Sequence, residues 1–262
     1  MTESRPLALR RAPEDLLRIG GEDTLDLLHR IAASDVLDLD GPRVIVFTDD
    51  KGRVVDAPTA IRRDDHVALV CGPTRGPALR AWIEKWVIME DVTVEPLDDT
   101  VVEVLADDPR EPSEFVFDPP SPDTAYALID LDAWRERFVE AGVVVPGPSL
   151  AAAPNPLEIG WHDHIGWTKG CYIGQEVVAR LDTYDKVKRH VARLRFETPR
   201  TGEALPVAGD PVRLGGRRIG VLLDVTPADV LAAIDKGVEV GTVVEVAEAG
   251  TATVEQTAAD VS

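Results

Sequence analysis

The sequence predicts an α+β protein that ends in a small β-barrel, and three observations carry that prediction. Between Ile19 and Val94 the apolar pattern runs helix, three strands, helix, strand, an order that suits an antiparallel or mixed sheet. A second strand-rich stretch, Val101 to Ile129, leads into one more helix and then a proline-rich segment. After Val187 the texture changes to short β-branched runs spaced by Gly, Pro and Asp turns, as in a small barrel.

Each element has a local reason. Leu25, Leu28 and Ile31-Ala32 recur at helical spacing, with Asp23 or Thr24 placed to cap. Arg43–Phe47 and Arg53–Val55 flank the turn Thr48-Asp49-Asp50-Lys51-Gly52, which has glycine where positive φ is needed. A third strand covers Val67–Cys71. Pro73, Gly76 and Pro77 then break the chain before a helix with Leu79, Trp82, Ile83 and Trp86 on its apolar side. Val92 and Val94 open the next strand. Val101–Leu105, Phe115–Phe117 and Tyr126–Ile129 read as strands, and Asp132 is placed to cap a helix over Ala133–Ala141 that Gly142 ends. Four prolines make residues 146–156 irregular. Barrel strands are read at Val191–Phe196, Pro211–Leu214, Arg218–Asp224, Val243–Ala247 and Thr251–Glu255, and the last residues as a frayed end.

Composition narrows the function. The 262 residues carry 47 acidic against 28 basic side chains, a net charge of −19. Asp outnumbers Glu (28 to 19) and Arg outnumbers Lys (22 to 6), a balance that suits a halophilic setting where salt screens repulsion. Such a surface excludes a general grip on nucleic acid. The one basic run, Lys186, Lys188, Arg189, His190, Arg193 and Arg195, reads as a solvated strand face or as a weak tRNA contact. No apolar run reaches about 18 residues, so no transmembrane helix is expected. Met1-Thr2-Glu3-Ser4-Arg5-Pro6 lacks the apolar core of a leader, so the expected location is cytoplasmic. Cys71 and Cys171 have no zinc or cluster spacing, and Cys71 reads as a buried core thiol. Trp161-His162-Asp163-His164 puts two imidazoles on one face if it is a strand, but no third ligand sits nearby, and no metal is expected.

The densest chemistry lies in Trp167–Arg180. Gly170 and Gly174 bracket Cys171-Tyr172-Ile173, which lets backbone approach a ligand. The set fits a pocket for a flat, polar heterocycle with an anionic tail. Glu176 reads either as a carboxylate for an amino-pyrimidine edge or as an ion-pair partner of Arg180 one helical turn on. Lys169 reads as the contact of a carboxylate tail or as an exposed lysine. Cys171 is either activated by Lys169 or a space-filling thiol. Tyr172 either stacks on a ring or packs. No hydrolase triad motif, P-loop or dinucleotide fingerprint is present.

Lys169-Gly170-Cys171-Tyr172-Ile173-Gly174-Gln175-Glu176 resembles the signature of the YgfZ-like folate-binding proteins, relatives of the glycine-cleavage T-protein, an aminomethyltransferase. Ile19–Asp23 with Leu28-His29, Asp50–Arg53 with Asp56, Pro156-Leu157-Glu158, and Arg218–Val221 extend the resemblance over nearly the whole chain. It implies two related, ferredoxin-like, T-protein folate-binding subdomains in residues 1–186, split near residue 100, and a barrel in residues 187–262, set as a cloverleaf. Tetrahydrofolate or an analogue is implied in the central channel. The implied cofactor-binding residues are Lys169, Gly170, Tyr172, Gly174, Gln175, Glu176, Arg180 and Glu158, with Cys171 as the functional thiol. The implied role is assembly or repair of iron–sulfur proteins, which would be its partners. The enzymatic alternative is a tetrahydrofolate-dependent aminomethyltransferase or a demethylase of a methylated amine. T-proteins place a catalytic aspartate after the third strand, whereas Val70–Trp82 holds no carboxylate here and Ala78 stands at that position. The family's R-x-E-A-G stretch is met only loosely by Arg137–Gly142, and the loop 143–155 is short.

Overall fold

The computed structural model describes residues 5–202, 205–247 and 249–257. Residues 258–262, read above as frayed, and residues 1–4 of the leader reading lie outside that set. Two open sheets, a two-stranded hairpin and a closed barrel form the frame. The first sheet is antiparallel, in the order Arg43–Val44, Thr59–Arg62, His66–Val70, Leu16–Gly20, Thr93–Pro96. Alternation along its strands sends side chains to opposite faces. Leu17, Ile19, Val67 and Leu69 meet helices α1 (Thr24–Ile31) and α2 (Gly76–Glu84) through Leu27, Leu28, Leu79 and Ile83. Leu16, Ala68 and Val70 face the other way, onto Leu97 and Val101.

The second sheet runs Glu114–Phe117, Val101–Val104, Leu7–Arg10, Ala127–Leu128, the last pair parallel. Its third strand therefore comes from the start of the chain. After the short helix α3 (Pro122–Ala125), helix α4 (Leu131–Glu140) lays Trp134 and Phe138 against Leu9 and Leu105. The cap of α4 is Asp130, whose carboxylate accepts from the Ala133 N–H at 2.8 Å, and not Asp132, which lies within the first turn. At α1 the N-cap is Asp23, but its carboxylate accepts from the Asp91 N–H instead of its own helix.

The barrel closes in the order Arg189–Phe196, Asp229–Asp235, Arg217–Val225, Pro211–Leu214, Val243–Val246, Gly250–Thr257. Val230, Ala232 and Ile234 point into it, while Leu231 and Ala233 pack outward against Ile159, Trp161 and Tyr172. A barrel strand buried on both faces loses polar alternation, which explains why Asp229–Asp235 is not visible in the sequence pattern. Gly220 sits where an added Cβ would lie 2.4 Å from the Ala233 carbonyl, so only glycine lets these two strands approach. Helix α5 (Gln175–Thr183) settles the strand-or-helix ambiguity of Val177–Leu181 as helix. Residues 162–164 form a 3-10 turn, not a strand.

Candidate functional site

A cavity of about 860 Å³ lies among the two sheets, α4, the segment 142–146, the segment 159–164 and the barrel strands at Val191 and Gln256. That volume falls in the range of small-molecule sites. Aromatic walls come from Phe115, Trp134, Phe138 and Trp161.

Its charged floor grows from the second sheet. Arg11 directly follows the strand Leu7–Arg10 and donates from Nη1 to Glu103 Oε2 at 3.0 Å. The pair is almost sealed, with the side chains 5% and 7% exposed. Ser113 Oγ donates to the other glutamate oxygen at 2.9 Å, and Arg11 Nη2 donates to the Cys71 carbonyl. The guanidinium also lies over the Trp134 ring, 5.5 Å from its centroid. These added bonds offset the desolvation that makes buried pairs costly. At the side of the cavity, Arg193 Nη1 donates to the Glu140 carbonyl at 2.8 Å and Arg110 Nη2 to the Ala141 carbonyl at 2.9 Å. Both arginines are thus held at the negative end of α4.

Behind the wall, Asp56 is fully buried and takes Arg75 Nε at 3.2 Å. Burial pushes its carboxyl up, and Arg75 opposes the shift. Asp15 accepts from the N–H groups of Thr74 and Gly76 at the start of α2. Burial raises the Cys71 thiol well above its ordinary range, so the wall thiol is inert. Ala78 is exposed on α2 and does not line the cavity.

The thiol loop occupies another place. None of Lys169–Glu176 lines the cavity. Lys169 Nζ donates to the carbonyls of His29, Ala32 (2.6 Å) and Ser34 (2.8 Å), closing the C-terminal end of α1. It is half-buried, not the freely exposed lysine of the alternative. Burial pulls its ammonium down to about 8. Tyr172 is buried beneath it, with Nζ 5.6 Å from the ring centroid, and burial lifts the phenol to about 12. Gly174 has φ 81°, and a Cβ there would lie 2.3 Å from the Asp49 carbonyl. Its role is to seat the loop on the hairpin turn. Gly170 and Cys171 are exposed, as are Glu176 and Arg180 on α5, while Gln175 is half-buried in the first turn. Glu158 closes a capping box with Asn155 and pairs with Arg53 at 3.1 Å. The implied cofactor residues therefore share one outer surface and the packing beneath it, not the cavity wall.

The two histidines of the 3-10 turn diverge. His162 stacks on Trp167 and faces Asp182, whereas His164 lines the cavity. Among the described residues no group of three His, Cys, Asp or Glu side chains could hold a metal. Within the basic run Arg195 forms two 3.1 Å bonds to Asp229, so that face is neutralised in part by its neighbouring strand. No helix of the described residues is long and apolar enough to cross a membrane. Arg11, Glu103 and Trp134 were not site candidates in the sequence, and His164 stood there only as half of a histidine pair without a third ligand. Glu103 left a trace as a charge inside the apolar run Val101–Leu105.

No protein-family profile matches the chain. Over 94 residues, 36% of the chain, it is 33% identical to a chloroplastic Arabidopsis thaliana protein named as a transferase, and the match spans 20% of that protein's length. The structure is similar to the glycine cleavage system aminomethyltransferase T from Bartonella henselae, with a TM-score of 0.73 and 15% identity over 97% of this chain and 86% of that one. The chain therefore has the fold of a glycine-cleavage aminomethyltransferase.

Proposed function

We propose that the protein binds a reduced folate, tetrahydrofolate or a close analogue, in the central cavity, and serves as an accessory factor in assembly or repair of iron–sulfur proteins. The observation that carries the binding reading is the cavity itself. Four aromatic side chains give stacking surface for a heterocycle, and Gln256, Arg110 and Arg193 give polar and cationic partners for an anionic tail. A folate bound there supplies a one-carbon acceptor. The proposed functional thiol, Cys171, stands outside on the exposed loop, where a partner protein can reach it. Calorimetric titration with tetrahydrofolate tests the binding. Restoration of iron–sulfur enzyme activity in deficient cells by the wild type, and not by Cys171→Ala, tests the accessory role. Equal restoration by both would remove the thiol from the account.

A second reading, aminomethyl transfer, is favoured by the likeness over 97% of the chain to an aminomethyltransferase. It lacks the carboxylate that this chemistry needs at the first turn of α2, where Gly76-Pro77-Ala78 stands. Methylene transfer to tetrahydrofolate by the purified protein would establish it.

A further inference from the structure

His164 belongs to a motif that neither reading uses. It lines the main cavity and also a smaller annex of about 190 Å³, and the two share Arg43, Val44, Asp163 and His164 as a common wall. Among the described residues no hydrogen-bond partner reaches either ring nitrogen, and neither nitrogen is sealed from solvent. The other groups at this wall are engaged. Arg43 donates to the carbonyls of Asp35 and Asp38 at 3.1 and 2.9 Å, and the Ser34 hydroxyl donates to the His164 carbonyl at 2.6 Å. The imidazole ring is fixed edge-on to Trp161, with centroids 6.1 Å apart at 88°. A half-buried imidazole held in place by an aromatic neighbour, with both nitrogens free at a cavity junction, is a recognition group waiting for a ligand.

We propose that His164 reads the edge of the heterocycle bound in the cavity, one ring nitrogen forming a single hydrogen bond with a donor or acceptor of the ligand. This rests on the folate reading above and names a residue for it. The carboxylate first suited to that task by sequence, Glu176, is exposed on α5 and outside the cavity. Burial lowers the pKa of His164, so the ring is neutral at pH 7, with one nitrogen donating and the other accepting. A pyrimidinone ring offers a partner for either one, its N–H for the bare nitrogen or its carbonyl for the protonated nitrogen. Asp163, which is exposed, and Arg43 are the other ionisable side chains shared by the two cavities, and Asp35 lines the annex.

The test combines calorimetry with NMR of protein labelled at its histidine rings, the His164 signals being assigned through His164→Phe. On titration with tetrahydrofolate the His164 signals shift along a saturating curve with the calorimetric affinity. His164→Phe, which keeps a ring and removes the hydrogen bond, weakens binding about tenfold, the value of one hydrogen bond. His162→Gln, which alters the neighbouring surface imidazole, binds as the wild type does. Saturable binding with the His164 signals unmoved, or with equal affinity in His164→Phe, overturns the proposal and leaves the folate reading standing. Absence of saturable binding by the wild type overturns both.

Discussion

Glu103 and Lys169 show how single side chains divide the work between cavity and loop. Glu103 is held by Arg11 and Ser113, and its side chain is almost sealed. Removing one partner of such a pair strands the other. Glu103→Leu is expected to lose about 3–5 kcal/mol of stability in urea unfolding, and the double change Arg11→Met with Glu103→Leu to recover most of it. A single variant of wild-type stability would mean the pair does not anchor the floor. Lys169 makes its bonds to three backbone carbonyls at the end of α1. Lys169→Met is expected to cost about 1.5–3 kcal/mol in the same assay, the scale of a charged hydrogen-bond set, while tetrahydrofolate affinity changes no more than about twofold. A large loss of affinity with unchanged stability would return this lysine to the ligand.

The loop between α2 and the strand Thr93–Pro96 is organised by one carboxylate. Glu90 accepts from Arg30 Nη2 at 2.6 Å and from the N–H groups of Ile88 and Met89. The Arg30 bond first, then the backbone bonds, lower its pKa from 4.5 to about 2. Because the folded value lies below the unfolded one, its contribution is present above pH 4.5 and is lost as pH falls through about 2. Glu90→Gln should therefore flatten the fall in thermal midpoint across that window, and an unchanged acid profile would contradict the assignment. Elements with a strong local signature were legible in sequence: both helices of the first unit, the Asp49–Gly52 turn, and five of the barrel runs. Four strands were not. Leu7–Arg10 has only Ala8 and Leu9 buried between two exposed residues, Leu16–Gly20 and Asp229–Asp235 are buried on both faces, and Thr59–Arg62 is a short run that ends at two arginines, Arg62 and Arg63. Their strand character comes from partners far away in sequence. The same holds for the site: the signature loop announces itself through its glycines and thiol, while the cavity residues Arg11, Trp134 and His164 gain meaning only when distant segments meet.

At the scale of the whole molecule, charge and the central cavity set behaviour. A net charge of −19 repels itself, and screening shortens the reach of that repulsion to about 3 Å at 1 M salt. The halophilic proposal predicts that the thermal midpoint rises steadily from 0.05 M to 1 M KCl, concentrations on the order of those that span strong and weak repulsion. A flat or falling midpoint would make the acidity a matter of solubility alone. The central claim is that the ligand sits in the cavity and not at the thiol loop. Titration of tetrahydrofolate into three proteins tests it most directly: the wild type, Cys171→Ser on the outer loop, and Val145→Trp, which fills the cavity wall. The account predicts saturable binding with equal affinity in the first two and a loss of about tenfold or more in the third, the scale of a lost stacking contact. Binding that disappears in Cys171→Ser and survives in Val145→Trp would contradict it.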